Sequence, residues 1–502
     1  MEIELKLLLD PAHNATLMAL PLIADHADGS PHRQHLSAHY FDTPDLHLLR
    51  HGAGLRVRQE DGVWIQTMKA GGSVQSGLHS RNEWEGPVSR PWPQLGKLRK
   101  QVGDDSRWRD MLAAPELKQR LEALFTVEVE RHAWQLDIEG SRIELVLDQG
   151  HIERLGRRLA INEIELELKD GDPSALFSFA LALHQYLPLR VSNVNKAQRG
   201  YQLCRETGTT PYRARALTLD ADATVAQALQ AILGNCLQHI QHNEQAVIDG
   251  DDPETLHQMR VGLRRMRSAL KLFGDAAPCP PALADDIAWL NGELGAARDA
   301  DVLLTDTLPL VQANPGGKNG LMALQQLALS AAQAHRSAAA QALRSPRYTQ
   351  LLLRLGLWMQ HLPTDVPDAP LAGFAKTTLQ RLHKRLLKRA RRMDEADPAS
   401  IHATRIAAKR ARYALQFFQA LYREKPVRQY LKVLAAIQSA LGQHNDLVVA
   451  ETLLRDLAER HPEALDAISF ARGYLQGLQA REPVDLDAIR NSLHLLRLPR
   501  PD

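Results

Sequence analysis

The chain has 502 residues, which is too long for one hydrophobic core and predicts two or three domains. Apolar residues make up 44% and charged residues 24%, as in ordinary globular proteins, and no apolar run reaches the roughly 20 residues of a membrane span. The three cysteines are an odd number without metal-ligand spacing, which argues against a disulfide framework. We therefore expect a cytoplasmic protein without a membrane anchor.

The first predicted element is a β-strand at the start of the chain. Glu2, Glu4 and Lys6 alternate with apolar residues, so the three charged side chains share one face. The pattern recurs over residues 162–169, where three carboxylates and a lysine again share a face. Two such strands in one sheet would form a wall of carboxylates, which is the environment that hard divalent cations require.

The rest of residues 1–205 is predicted to consist mainly of short strands joined by hairpin turns. Alternating runs lie near residues 55–58, 64–69, 81–85, 127–130 and 142–147, and helical inserts near residues 110–124 and 173–187. The histidines between residues 13 and 51 match no metal-site spacing and are interpreted as exposed loop residues. In a closed sheet every second residue points inward. Charged side chains at such alternate positions are Arg56, Arg58, Lys69, Arg81, Glu83, Glu85, Arg131, Glu144 and Asp148.

These segments together resemble the CYTH superfamily, also called triphosphate tunnel metalloenzymes, in which Glu-x-Glu-x-Lys opens the domain. Lys196 to Tyr201 resembles the family's final Ser-Lys-x-x-Arg-Gly-Tyr, with Asn195 in place of Ser. The resemblance implies an antiparallel eight-stranded β-barrel tunnel with flanking helices over residues 1–205. It also implies Mg²⁺ or Mn²⁺ at Glu2, Glu4, Glu163 and Glu165. The phosphate-binding cations that we predict are Lys6, Arg56, Arg58, Lys69, Arg81, Arg131, Lys196 and Arg199.

The catalytic set predicted for the tunnel is larger than its metal ligands. It comprises Glu2, Glu4, Lys6, Arg56, Arg58, Lys69, Glu83, Glu85, Arg131 and Lys196. Glu144 and Asp148 are added to the predicted metal ligands. Two interpretations of Glu83, Glu85, Glu144 and Asp148 stay open, because each could position a metal or water, or form a salt bridge to an arginine. Arg199 could equally serve to close the barrel.

Residues 206–222 are rich in Gly, Thr and Pro and are predicted to form a linker, after which residues 223–495 have a helical period. Residues 256–273 recur as residues 401–418 at a constant offset of 145. The spacing i, i+3, i+7, i+10 confines four basic side chains in each copy to an arc of about 80° on a helix. The two basic arcs are His257, Arg260, Arg264 and Arg267, and His402, Arg405, Lys409 and Arg412.

Each arc is followed by a Leu-Gly-x-x-x-Asp segment, at residues 294–299 and 441–446. These paired elements resemble the CHAD domain, an α-helical module of two pseudo-symmetric bundles that binds inorganic polyphosphate. The resemblance implies repeats of about 223–355 and 370–495, with polyphosphate bound by the two arcs. The whole chain is then a multidomain α+β protein, in which an all-α domain follows the tunnel.

The net charge of +2 conceals an asymmetry between the two halves. Residues 1–210 carry a net charge of −4 and residues 211–502 carry +6, with 16 basic against 4 acidic residues over 376–432. Such an excess attracts polyanions by counterion release. Few aromatic residues interleave with these cations, which argues against nucleic acid, because single strands bind by base stacking.

The leading hypothesis is an inorganic triphosphatase that converts tripolyphosphate to pyrophosphate and phosphate, with long-chain polyphosphate bound by the helical domain. One alternative is a thiamine triphosphatase or nucleoside triphosphatase that uses the same tunnel. Another is a non-catalytic protein of polyphosphate granules, in which both domains only bind. The sequence leaves the preferred metal and the oligomeric state open.

Overall fold

The computed structural model describes residues 2–60, 62–103, 107–204, 210–313, 321–362, 370–481 and 485–500. The chain divides into two compact units. The first comprises Met1–Thr209 and Pro346–His361, and the second comprises Thr210–Ser345 and Leu362–Asp502. Residues 206–209 of the predicted linker lie outside the described residues, whereas residues 210–220 have no regular secondary structure.

The first unit is built on an antiparallel sheet whose strands close into a ring. The strands are β1 Glu2–Leu8, β2 His32–Asp42, β3 Ala53–Glu60, β4 Val63–Gln75, β5 Leu78–Val88, β6 Glu122–Ile138, β7 Ser141–Arg154, β8 Arg157–Asp170 and the short β9 Arg190–Val191. Their order is β5-β4-β3-β2-β6-β7-β8-β1, and β1 also pairs with β5. The predicted eight-stranded antiparallel fold is thereby confirmed.

The ring is not a regular barrel, because β1 changes partner along one edge. Residues Glu2–Leu5 pair with β5, whereas Leu7 and Leu8 pair with β9. The other edge of β1 pairs with β8 over residues 4–8. The seam between β5 and β9 therefore lies beside Lys6, in the middle of the charged strand.

The described part of residues 2–204 contains eight α-helices in addition to the strands. They are α1 Asn14–Met18, α2 Pro21–Ala24, α3 His47–Arg50, α4 Leu95–Gln101, α5 Arg107–Ala113, α6 Pro115–Arg120, α7 Ser174–His184 and α8 Lys196–Leu203. The predicted insert at 173–187 agrees with α7. The insert predicted at 110–124 is instead two short helices, α5 and α6, and ends before β6 begins at Glu122. Leu98, Trp108 and Leu117 of α4 to α6 pack with Leu55 and Met68 against the outside of the sheet.

Part of the histidine-rich segment forms a strand rather than a loop. Residues His32, His35 and His39 lie on β2, which pairs with β3 and β6. The interpretation of these three as loop histidines was therefore wrong. Alternation on β2 places Leu36, Ala38 and Tyr40 on the buried face.

Helices make up most of the described residues from Val225 to Leu495. The helices are α9 Val225–Gln241, α10 Glu244–Asp249, α11 Pro253–Leu272, α12 Pro281–Val302, α13 Leu308–Gln312, α14 Leu321–Arg344, α15 Pro346–Gln360, α16 Leu371–Ala390, α17 Pro398–Phe418, α18 Glu424–Arg460, α19 Leu465–Arg481 and α20 Leu486–Leu495. A π-helical turn, Leu303–Thr307, joins α12 to α13.

The internal repeat extends to the helix caps of the second unit. Asp252 and Asp397 stand 145 residues apart, each before a proline, and each carboxylate accepts a hydrogen bond from a backbone N–H of the first turn, at 2.9 and 3.0 Å. A capping Asp followed by Pro at the first helical position fixes the start of a helix. The two basic arcs therefore begin at equivalent heights on α11 and α17, and these two helices pack together.

Helix α15 belongs to the first unit although it lies within the second half of the sequence. It packs on α7, where a Cβ atom at Gly356 would stand 2.2 Å from a ring carbon of Phe177. The Thr349 hydroxyl donates a hydrogen bond to the Leu189 carbonyl at 2.8 Å, and Nε2 of His184 lies 3.1 Å from the Pro346 carbonyl. The close approach at Gly356 and these two hydrogen bonds fix α15 against α7 and β9.

Candidate active site

The inner face of the ring carries the charged side chains that the alternation predicts. In the pairing of β1, Lys6 stands opposite Glu165, and Glu2 stands opposite Arg81. Directly paired residues of antiparallel strands project from the same face. The register therefore brings charged residues of β1, β5 and β8 onto one interior surface.

One end of this interior is apolar and is covered by α8. Tyr201 of α8 packs edge-on against Phe125, and Gly200 lies so close to Phe125 that a Cβ atom would be 2.1 Å from its ring. Asn195 caps α8, since its side chain accepts a hydrogen bond from Gln198 N at 2.8 Å. The Asn in place of the expected Ser thus keeps the cap, and the helix begins at Lys196, whose ammonium group enters the charged interior.

Lys196 and the carboxylates around it form a compact ion-pair network. Its Nζ lies 2.7 Å from Asp148, 2.6 Å from Glu163 and 3.0 Å from Glu165. Arg131 donates two hydrogen bonds to Asp148, at 2.8 and 2.6 Å. Two other cations complete the network, since Lys6 contacts Glu165 and lies 2.8 Å from Glu4, and Arg199 lies 3.3 Å from Glu163.

The pKa values show that this part of the site is electrostatically compensated. Burial alone would raise the pKa of Asp148 and of Glu165, but Lys196 and the other neighbouring cations outweigh it and hold both pKa values below the ordinary range. The pKa of Lys196 lies well above its ordinary value, because Asp148 and two glutamates outweigh its burial. All three groups are therefore charged at neutral pH.

The wall formed by β3 and β5 is different, because its arginines are not saturated by carboxylates. Arg58 pairs with Glu60 at 2.5 Å, yet the Nε atoms of Arg56 and Arg58 are buried without a hydrogen-bond partner among the described residues. Burial and the neighbouring Arg56 lower the pKa of Arg58 to about 10. Burial also lowers the pKa of Arg81, despite the nearby Glu4. These guanidinium groups retain donors for an anionic ligand.

Glu2, Lys69 and Glu83 form a second group near the other end of the charged surface. Lys69 Nζ lies 2.6 Å from Glu2 and 3.5 Å from Glu83. Burial raises the pKa of Glu2, and the like charges of Glu4 and Glu83 add to this effect against Lys69. Glu2 is thus a carboxylate whose charge its surroundings compensate incompletely.

This difference bears on the predicted metal ligands. In the described part of the chain, no three Asp, Glu, His or Cys side chains form a group that could hold a metal ion. Carboxylates are suitable ligands for Mg²⁺ or Mn²⁺. Asp148, Glu163 and Glu165 pair with the cations of the Lys196 network, and Glu2 and Glu4 likewise pair with Lys69 and Lys6. The pKa of Glu2 nevertheless stays raised, by burial and by the like charges of Glu4 and Glu83, so a cation added beside Glu2 and Glu4 would relieve this repulsion.

Two further predicted carboxylates make their direct contacts outside these groups, although the charge of Glu144 acts on Arg131 and that of Glu85 on Arg58. Glu144 accepts a hydrogen bond from Gln135 at 2.6 Å and pairs with Lys169 at 3.2 Å. Glu85 is exposed and lies 3.4 Å from the Thr67 hydroxyl.

Sequence reasoning missed His79, which is 1% exposed and stands directly opposite Glu4. It precedes Arg81 by two residues, so the same alternation that selected Arg81 also selects His79. That alternation was the signal in the sequence that could have identified it.

In the second unit, the two basic arcs face each other. Arg260 of α11 pairs with Asp299 at 3.0 Å. Burial, with Arg405 and Arg264 close by, lowers the pKa of Lys409 to about 8. The pKa of Arg405 is lowered by burial, and its neighbours Asp446 and Arg264 act on it in opposite directions. Cations from both repeats thus repel one another across one surface.

The remaining arc residues are placed less centrally. His257 neighbours Arg264 and Arg298, and burial and these two cations lower its pKa. Arg412 donates a hydrogen bond to Gln438 at 2.9 Å, and His402 is exposed. Arg267 neighbours Lys271, one of the residues that line a groove of about 270 Å³. The charged residues of that groove are Lys271, Asp275, Arg381, Arg385 and Arg410.

None of the helices in the described ranges is both long and apolar enough to cross a lipid bilayer.

Comparisons with known proteins match two successive parts of the chain to two families. Residues 1–201 match the CYTH domain model, and residues 231–455 match the CHAD domain model. An inorganic triphosphatase from Haemophilus influenzae is 34% identical over 206 residues, which are 40% of this chain and 54% of that protein. The chain therefore spans about half the length of this curated relative.

A crystal structure of the CHAD domain from the plant Ricinus communis is also similar. It is 61% identical in sequence, with a TM-score of 0.56, and the match covers 59% of this chain and 100% of that chain. The sequence resemblances are thereby confirmed for both domains. The chain belongs to the proteins in which an N-terminal CYTH domain is followed by a CHAD domain.

Proposed function

We propose that the protein hydrolyses inorganic tripolyphosphate to pyrophosphate and phosphate inside the charged ring. The observation that carries the proposal is the pair of guanidinium groups of Arg56 and Arg58, whose Nε atoms are buried without a hydrogen-bond partner among the described residues. Cleavage of a phosphoanhydride needs positive charge around the phosphate oxygens rather than covalent chemistry by the protein. The curated relative named as an inorganic triphosphatase supports this choice of substrate.

The arginine wall would bind the substrate. Arg56, Arg58 and Arg81 can donate hydrogen bonds to phosphate oxygens in a partly dry environment, where such bonds are strong. Lys6, Lys69, Arg131 and Lys196, each already paired with carboxylates, would exchange part of these contacts for phosphate contacts as substrate enters. Water attacks one phosphorus atom, a new P–O bond forms and a bridging P–O bond breaks.

Glu2 and Glu4 would hold Mg²⁺ or Mn²⁺. When bound there, the ion supplies positive charge to phosphate oxygens, and it also offsets the like charges that raise the pKa of Glu2. Glu163, Glu165 and Asp148 would chiefly hold Lys6, Lys196 and Arg131 in place. On this view the carboxylates divide into metal ligands on β1 and supports for cations on β7 and β8.

We also propose that the CHAD domain binds long-chain polyphosphate on the surface formed by the two arcs. Lys409 and Arg405 of one repeat and Arg260 and Arg264 of the other repel one another there, and a polyanion would relieve the repulsion. Such binding would associate the protein with polyphosphate granules in the cytoplasm. Fluorescent fusion protein should then overlap with stained granules, and diffuse fluorescence in granule-containing cells would contradict the localisation.

The test of the enzymatic proposal is a substrate panel. Phosphate release should be measured with tripolyphosphate, thiamine triphosphate, ATP and long polyphosphate, each with Mg²⁺ and with Mn²⁺. We expect the highest kcat/KM with tripolyphosphate. Turnover of none of the four would favour the binding-only alternative, and a preference for thiamine triphosphate or ATP would favour the other triphosphatases.

A matched pair of variants tests the arginine wall. Arg58→Gln should lower kcat/KM for tripolyphosphate by about a hundredfold, because a charged donor to the phosphates is lost. Arg142→Gln is the control, because Arg142 on β7 forms an exposed ion pair with Asp170 on β8. It removes the same charge and should leave the rate within about twofold. Equal effects of the two substitutions would contradict the assignment.

A further inference from the structure

His79 is a buried, uncharged side chain on a wall where the other polar groups are charged. It lies on β5 directly opposite Glu4 and two residues before Arg81, so all three project into the ring. Burial, with Lys6 and Arg81 nearby, lowers the pKa of its imidazole to about 3, and the ring is neutral at physiological pH. A lysine or arginine here would add a third cation beside Lys6 and Arg81, and a carboxylate would repel Glu4.

Among the described residues the imidazole makes one hydrogen bond, and this bond defines its tautomer. Nε2 of His79 lies 3.3 Å from the carbonyl oxygen of Ser192. Because a carbonyl only accepts, Nε2 carries the proton and Nδ1 is the free acceptor. Nδ1 is buried and has no hydrogen-bond partner among the residues that the structure describes.

Ser192 belongs to the seam at which β1 changes partner from β5 to β9. Its N–H donates to the Lys6 carbonyl at 2.9 Å, and the Lys6 N–H donates to the Gly77 carbonyl at 3.0 Å. Gly77 N in turn donates to the side-chain oxygen of Asn193 at 2.8 Å. His79 and Asn193 thus fasten the segment after β9 to β5 from two sides.

That segment leads directly to the central cation of the ion-pair network. Asn195, three residues after Ser192, caps α8, and Lys196 is the first residue of the helix. With its Nζ 2.6 to 3.0 Å from three carboxylates, Lys196 tolerates little displacement. A shift of Ser192 would therefore displace the Lys196 ammonium group, because Lys196 follows only four residues later in the chain.

We propose that His79 is a positioning residue, which fixes Lys196 in the ring by anchoring Ser192 to the wall that carries Glu4 and Arg81. The inference rests on the proposed function, because it assigns Lys196 to the binding of tripolyphosphate. Anchoring Ser192 requires an uncharged hydrogen-bond donor at the position of the His79 Nε2 atom. Histidine supplies this donor without adding a charge to the wall.

Two substitutions separate the hydrogen bond from the bulk of the ring. The side-chain nitrogen of glutamine reaches the position of the imidazole Nε2, whereas that of asparagine reaches only the position of Nδ1. His79→Gln should therefore keep the bond to Ser192, and His79→Asn should lose it. Asn193→Ala removes the second fastening of the same segment and provides an independent variant.

His184 supplies a matched control elsewhere in the first unit. It is also buried, its Nε2 also donates to a backbone carbonyl, that of Pro346 at 3.1 Å, and its Nδ1 likewise has no hydrogen-bond partner among the described residues. It is the last residue of α7, and its hydrogen-bond partner, Pro346 of α15, does not belong to the charged network. His184→Asn and His184→Gln report what the loss of such a bond does to stability alone.

The measurements are steady-state hydrolysis of tripolyphosphate, calorimetric binding of tripolyphosphate without metal, and thermal unfolding of the full chain. His79→Asn and Asn193→Ala should raise KM and weaken metal-free binding by about tenfold, as expected for a displaced charged donor. His79→Gln should stay within about threefold of the wild type. The His184 variants should leave KM unchanged, because partial unfolding lowers the apparent kcat without altering the KM of the folded fraction.

The outcomes are distinguishable. If the wild type hydrolyses or binds tripolyphosphate but His79→Asn keeps its KM, the positioning role is overturned while the proposed function stands. The role is also overturned if asparagine and glutamine act equally at His79, or if His184→Asn raises KM as His79→Asn does. If the wild type neither hydrolyses nor binds tripolyphosphate, the proposed function fails, and this inference with it.

Discussion

Lys409 should make the binding of polyphosphate depend on pH in a range where most lysines do not titrate. Burial and the neighbouring Arg405 and Arg264 lower its pKa to about 8 in the free protein. A bound polyanion would offset this repulsion and return the pKa towards its ordinary value near 10.5. The sign follows directly, since a ligand that raises the pKa of a group binds more tightly to the protonated form.

The size of the effect can be worked out from these two pKa values. With a pKa of about 8, Lys409 is about nine-tenths protonated at pH 7 and about one-tenth protonated at pH 9. In the complex it is protonated at both pH values. The association constant should therefore fall by about tenfold between pH 7 and pH 9, which corresponds to about 1.4 kcal/mol.

The assay is a calorimetric titration of long-chain polyphosphate into the full chain at pH 7, 8 and 9 and constant ionic strength. Lys409→Arg keeps a charge that does not titrate in this range, so its affinity should change by less than about twofold. Lys409→Gln should bind weakly at every pH and also show little dependence. A wild-type pH profile that persists in Lys409→Arg would refute the reasoning, because another group would then be responsible.

Glu2→Gln should lower tripolyphosphate turnover by about a hundredfold or more and raise the midpoint of thermal unfolding, because the raised pKa of Glu2 means that its charge opposes folding at neutral pH. A lowered midpoint would contradict this. Glu165→Gln should lower both turnover and the midpoint, since three cations lose a shared partner; an unchanged midpoint would count against the network. The pKa values of Asp148 and Glu165 lie below the ordinary range, so their stabilisation is present above about pH 4 and is lost as pH falls through the folded-state pKa values. Urea unfolding of the first unit should therefore show a steep fall in the free energy of unfolding below about pH 4. A free energy of unfolding that does not change with pH in this range would contradict the stabilisation by Asp148 and Glu165. In the second unit, Arg264→Gln should weaken polyphosphate binding by at least about fivefold, whereas Lys425→Gln, which removes an exposed charge, should change it by less than about twofold; equal losses would mean that only net charge matters.

The parts of the fold that could be predicted from sequence are those whose pattern is local. The alternation of Glu2, Glu4 and Lys6 is enough to define a strand with one charged face, and its repetition near Glu165 predicts the partner strand. The helical repeat was equally visible, because four basic residues recur at a constant offset. The Asp-Pro pair before each arc, at Asp252 and Asp397, adds a local signal that was available and unused.

What could not be predicted depends on partners distant in sequence. The carboxylate of Asp148 has the alternation of a metal ligand, but only the register of β7 with β6 and β8 brings Arg131 and Lys196 onto it. Most of β2 was concealed because His32, His35 and His39 stand three and four residues apart and therefore do not follow the period of two that marks a strand. An apolar helical period in α15 predicts a buried face but does not say which part of the chain covers it.

The packing of α15 on α7 has a consequence for the order in which the protein folds during synthesis. The strands of the ring are complete when Arg190 and Val191 have been made, but α15 follows about 150 residues later. At roughly 5–20 residues per second the ribosome needs on the order of ten to thirty seconds to reach it. During that interval Phe177 and the other apolar residues that α15 will cover face solvent, so the nascent first unit should be a client of chaperones, and it reaches its final packing only after most of the first helical repeat has been translated.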